Sequence, residues 1–159
     1  MSRAIDLIIT YRVVKMLVTP WEKFEAYKLG FIDDKGKVLV KMKDVKGTNR
    51  KHYTILHRFV FNLKRIFQKV GLGSRLGSFA VALALLIKED KSYTKYKDAI
   101  ESGVITYLKE NNLYNDILNE SQEIPEVDPV DEVFCTCFGV DVYEKDGELV
   151  SEYEYAKAL

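Results

Sequence analysis

The chain has little of what recognisable chemistry usually needs. Its 159 residues include two histidines, two cysteines, three prolines and one tryptophan. Two cysteines, Cys135 and Cys137, cannot build a disulfide framework, and a reducing compartment fits them best. The longest unbroken apolar run, Phe79 to Ile87, has nine residues, whereas a membrane-spanning helix needs about 20. No membrane span is therefore expected. Residues 4–18 are apolar, but Asp6, Arg12 and Lys15 interrupt them and no small-residue cleavage site follows, so a signal peptide is not expected either. Net charge is also missing, with 24 basic against 24 acidic side chains.

That neutrality hides a separation. Residues 35–75 hold twelve basic side chains and one acidic, a net of +11. Residues 101–159 hold three basic and fifteen acidic, a net of −12. A basic block of this density suits a polyanion, and the acidic block could equally fold back on it, in the same chain or a neighbour. Apolar residues make up 47% of the chain, enough for one packed domain.

The periodicity predicts a mainly helical α+β domain. A helix over about 4–18 is apolar nearly all round, which predicts burial or cover by another subunit. Thr19-Pro20-Trp21-Glu22 predicts a capping box opening a short helix that stops at Gly30. Asp34-Lys35-Gly36 predicts the loop of a β-hairpin over 31–42. Leu56, Phe59, Val60, Leu63, Phe67 and Val70 line one face of a helix over 50–70, with Lys51, Arg58 and Arg65 roughly opposite. Gly71 to Ser74 breaks that helix. A buried helix follows over 75–88, with Ala80 and Ala84 on a small face. An amphipathic helix over 93–111 and a short turn through Leu118 come next. The expected organisation is a core domain over 1–118, an acidic linker over 119–132 and a C-terminal acidic β-hairpin segment over 133–159. Its two strands, 133–143 and 148–155, flank Lys145-Asp146-Gly147.

Few constellations point to catalysis. Gly71-x-Gly73-x-x-x-Gly77 follows a helix and misses both phosphate-loop spacings. His52 and His57 lie on different sides of a helix and read as solvated or interfacial imidazoles. Cys135 and Cys137 point to one side of a strand, but a zinc site wants two further ligands, so small buried side chains are expected. Asp128, Asp131 and Glu132 lack a calcium-loop spacing. No catalytic residue, metal or cofactor is assigned, and a non-enzymatic role is expected. The candidate contact residues are Lys37, Lys41, Lys43, Arg50, Lys51, Arg58, Lys64, Arg65 and Arg75. Lys37, Lys41 and Lys43 would alternate along one face of the hairpin strand. The helix after the glycine break carries Arg75 and no other base-reading group, so sequence-specific groove reading is not expected.

The stretches AIDLIITYRVVKMLVTPWEKFEAYKLGFIDDKGKVL, YTILHRFVFNLKRIF and GLGSRLGSFAVALALLIKED together resemble a group of small, mostly uncharacterised virion-associated proteins of tailed bacteriophages. The likeness covers about residues 4–90 and carries no catalytic residue with it. It implies a structural or assembly protein in a virion or in the host bacterial cytoplasm. The implied partners are other phage proteins, further copies of itself, or DNA bound without sequence specificity. The competing expectation is a small phage regulator or inhibitor, which would bind a host protein or mimic nucleic acid through its acidic end.

Overall fold

A computed structural model describes residues 3–68, 75–120 and 131–158. The order is α1 (Arg3–Val18), α2 (Glu25–Lys28), α3 (Ile55–Phe67), α4 (Arg75–Glu89), α5 (Lys97–Glu110), α6 (Tyr114–Asn119), β1 (Val133–Cys137), β2 (Val140–Lys145), β3 (Glu148–Ser151) and α7 (Glu152–Ala158). Short 3-10 turns cover Trp21–Lys23, Met42–Asp44, Gly47–His52 and Lys91–Tyr96. The chain is thus a mainly helical α+β fold with a three-stranded antiparallel sheet in the order β1-β2-β3. None of the described helices is long and apolar enough to cross a membrane.

Helix α4 is the centre. It packs against α3, α6 and all three strands. Its small residues make this possible: Ala80 and Ala84 are fully buried, and a Cβ at Gly77 would lie 3.0 Å from the Tyr153 ring. Helix α1 lies along α5, where Gly103 admits the backbone of Thr10, and Thr10 Oγ1 donates to the Ala99 carbonyl at 3.0 Å. Ile9, Val13 and Leu17 of α1 face the core. The opposite side is not buried within the chain, so of the two expectations, burial or cover by another subunit, the first fails there: Leu7, Ile8, Tyr11 and Val18 are exposed, Leu7 by 69%. Strand residues Cys137, Val140, Val142 and Leu149 enter the same core as the helices.

Several boundaries differ from the sequence expectation, each for a local reason. Thr19 opens no capping box with Glu22; its hydroxyl donates back to the Lys15 carbonyl at 2.6 Å and closes the end of α1. The 3-10 turn that follows has Pro20 at its N-cap, with no side-chain hydrogen bond. The long helix starts at Ile55, not Arg50, because Thr54 caps it. The hairpin over 31–42 shrinks to one bridge, Ile32 with Val38. Beyond that pair Leu39 and Val40 both donate to the Phe31 carbonyl, and a 3-10 turn at Met42 carries the chain out of register.

At the other end, one expected strand becomes two. Phe138 and Gly139 both have positive φ, 53° and 73°, so they form a two-residue turn between β1 and β2. Asp146 and Gly147 repeat the device between β2 and β3, as the sequence signal predicts. The second expected strand ends at Ser151, whose hydroxyl accepts the Glu154 N–H at 3.4 Å as α7 begins. Tyr155 of α7 stacks on Tyr143 at 4.1 Å. The glycine break at 71–74 and most of the expected linker, residues 121–130, lie outside the described residues.

Candidate functional site

The basic block is carried by a second, smaller core. Trp21, Phe24, Ala26, Ile32, Val45, Tyr53 and Phe61 pack together apart from the main one. Phe61, on α3, is its hub, with ring centroids 4.9 Å from Phe24, 5.6 Å from Trp21 and 6.1 Å from Tyr53. Phe31 stacks on Tyr53 at 5.9 Å. Aromatic rings supply much buried area per residue, so a few of them can hold a segment with almost no regular structure. Gly36 sits flat on the Trp21 ring at φ 81°; a Cβ there would fall 2.3 Å from the indole. The loop is tied by Asp33, whose carboxylate accepts the backbone N–H groups of Lys35 and Lys37, both at 2.8 Å. Those two bonds, Lys37's first, hold the Asp33 carboxyl below its ordinary range.

The nine candidate residues divide into three that turn to the fold, five exposed ones, and Arg58, which shares both characters. Lys64 turns inward: its ammonium donates to the carbonyls of Leu17 (3.1 Å) and Thr19 (2.7 Å) and lies 4.9 Å over the Trp21 ring. It satisfies one carbonyl in the last turn of α1 and one just beyond it, and partial burial lowers its pKa. Arg65 donates to the Gly36 carbonyl at 2.8 Å and to Asn62, fastening the loop to α3. Arg75 is bonded to Glu120, Nε to Oε2 at 2.8 Å. Lys64, Arg65 and Arg75 each serve the fold, a role that their assignment as contact residues did not include. Each long side chain reaches carbonyl or carboxylate oxygens that a sequence window cannot place beside it.

Lys37, Lys41, Lys43, Arg50 and Lys51 are exposed, and among the described residues none of them forms an ion pair. Exposed Lys35 and Lys46 extend the same loop surface. Lys41, Lys43 and Arg58 line one shallow pocket of about 310 Å³ with Val38, Met42 and Tyr53. Lys37 is not part of that lining, because the expected strand that would align the three lysines is replaced by a turn. Arg58 is also bonded to Glu89 at 2.6 Å, so it is oriented rather than free. Burial raises the Tyr53 pKa, keeping its phenol protonated beside these cations. Three cations and an apolar floor make a site for an anionic group with a flat or apolar attachment.

Sequence reasoning missed the role of His57. Its Nδ1 lies 2.8 Å from Thr54 Oγ1 and 3.3 Å from the Thr54 N–H, and its own N–H donates to that hydroxyl at 3.3 Å. It is a capping-box residue at the start of α3, not a solvated imidazole. Burial first, then the charges of Arg12 and His52, pushes its pKa down to about 4. The signal was Thr54-x-x-His57, a capping box with imidazole where Glu or Gln is usual.

Among the described residues Arg75–Glu120 is the one ion pair joining residues 35–75 to residues 101–159. No group of three His, Cys, Asp or Glu side chains among the described residues is placed to hold a metal ion. Comparison with protein-family models, with curated proteins and with solved structures gives no match.

Proposed function

We propose that this chain is a non-enzymatic bacteriophage structural or assembly protein that binds a polyanion, nucleic-acid phosphate in the first place, on the surface formed by Lys35 to Lys51 and Arg58. The observation that carries this reading is the set of exposed, unpaired cations, Lys37, Lys41, Lys43, Arg50 and Lys51, held on a loop that an aromatic core fixes from beneath. A surface that leaves this much charge of one sign uncompensated is poised for a partner of the other sign. The cations sit on turns and loop, not on one exposed helix, which favours contact with phosphates over reading of base edges. The phage setting rests on the likeness over residues 4–90.

The test is binding of a short labelled DNA duplex of mixed sequence, read by fluorescence anisotropy. Binding is expected at about 50 mM salt, weakening steeply as salt rises, with a log–log slope near −0.9 per phosphate neutralised. Lys41→Glu with Lys43→Glu should lower affinity by about tenfold or more at unchanged melting temperature. Absence of binding at about 50 mM salt removes nucleic acid as the partner. An acidic neighbouring subunit then remains, and should appear with this chain in purified particles at a fixed copy ratio.

A further inference from the structure

The polyanion surface leaves the two cysteines unused. They lie on β1, an edge of the sheet, on either side of Thr136, so both thiols project from one face. Their sulfurs are 3.2 Å apart. Cys137 is fully buried in the main core, whereas Cys135 is partly exposed. A cation is clamped beside them. Lys97, at the start of α5, donates to the Thr136 carbonyl at 2.8 Å and to Glu101 Oε1 at 3.2 Å. Glu101 is held in turn by the Phe138 N–H at 2.8 Å.

We propose that Cys135 and Cys137 form a thiol–disulfide exchange site for small disulfides of the glutathione type, with Cys135 as the attacking thiol and Cys137 as the resolving one. The accessible Cys135 thiol loses its proton to solvent. Its thiolate attacks one sulfur of the incoming disulfide, forming a mixed disulfide and releasing one thiolate, which takes up a proton. Cys137 then loses its proton and attacks Cys135 Sγ from the adjoining position. The second small thiol leaves, and an internal Cys135–Cys137 disulfide remains. Two protein thiols are oxidised and one small disulfide is reduced to two thiols.

The environment matches this division of labour. The bond from the neighbouring thiol and the charge of Lys97 draw the Cys135 pKa down, against burial and Glu101. The bond to Cys135 and burial drive Cys137 strongly up, so it stays a thiol until its neighbour has reacted. Residues two apart on a strand have Cα atoms about 6.4–6.8 Å apart, at the far end of the disulfide range. The pairing of β1 with β2 is irregular just before Cys135, between Val133 and Cys135, and regular from Cys135 to Cys137. A bond at that limit is easily reduced again, as an exchange site requires.

The test exposes the reduced protein to glutathione disulfide and follows its intact mass. Wild type should end lighter by two hydrogens and carry no glutathione. Cys137→Ser should stop at a stable glutathione adduct, and Cys135→Ser should react far more slowly than either. Lys97→Met should slow the first step several-fold. In case a serine variant does not fold, brief exposure of wild type followed by alkylation and peptide mapping gives the same answer, with the first adduct on Cys135. Wild type that stops at the adduct, or a first adduct on Cys137, overturns the proposal. Neither result touches polyanion binding, which uses other residues.

Discussion

On α3 the cations Arg58, Lys64 and Arg65 each hold an oxygen of the same chain, while across residues 35–51 the cations hold none among the described residues. Both regions belong to one basic block, and their composition does not tell them apart. The difference lies in what surrounds them. Helix α3 is packed between α1, α4 and the small aromatic core, so a long side chain leaving it meets carbonyls and carboxylates within reach. The segment from Asp33 to Lys51 is held through Gly36, Val40, Met42 and Val45, between the buried Ile32 and Tyr53, while its cations are all exposed. Charge density in a sequence therefore overstates a binding surface wherever the backbone carrying it is buried on several sides.

The sharpest break between the two regions should come from neighbouring residues of α3 that serve different cores. Phe61→Ala empties the hub of the small core and should cost about 3–5 kcal/mol, read by chemical denaturation. It should also raise amide exchange across residues 31–53 and weaken DNA binding. Leu63→Ala, in the main core, should cost about 2–5 kcal/mol but leave affinity per folded molecule unchanged. Equal loss of binding in both variants would mean that the aromatic core is not what positions the basic loop.

A smaller effect comes from His57, which stands at the junction of the two regions. Its folded pKa of about 4 lies below the ordinary 6.5. As pH falls, the unfolded chain takes up this proton first. The stability linked to His57 is complete above pH 6.5 and is lost as pH falls towards 4. The loss is on the order of 1–3 kcal/mol at most, because the ring is only partly buried. His57→Gln should keep the cap, since glutamine serves at that position, and should flatten the pH dependence in this window. A slope that survives in the variant would assign it to another group.

The smallest effect sharpens the division itself. Arg75→Gln should lower stability by about 1 kcal/mol, the range of a partly exposed ion pair. It should leave DNA affinity unchanged, although Arg75 lies in the basic block. A loss of affinity comparable with that of the Lys41 and Lys43 variant would return Arg75 to the contact surface.

The helices were legible because their signals are local. The stripe Leu56, Phe59, Val60 and Leu63 is buried as its spacing implies, and so are Ile100, Val104 and Leu108 on α5. The Asp146-Gly147 turn was equally readable, since its chemistry is contained in two residues. Phe138-Gly139 was not, because a phenylalanine at positive φ carries no turn signature. The hairpin over 31–42 was misread for a different reason: Asp33 organises its loop through its own carboxylate, and that competes with a ladder. Of the candidate site, the sequence identified the charge and its sign. It could not separate Lys41 from Lys64, because that difference depends on residues more than forty positions away.

The bond from Thr10 to Ala99 joins positions 89 apart in the chain. The two strand turns, by contrast, close loops of two residues each. Closure entropy grows with the length of the loop, and non-local contacts are slow to form. The meander and the α3–α4 pair are therefore expected to assemble ahead of the docking of α1 on α5, an order that pulse-labelled amide exchange would read. A chain in which that docking has not yet happened leaves Ile9, Val13 and Leu17 in water, so the first helix is where it would be stickiest.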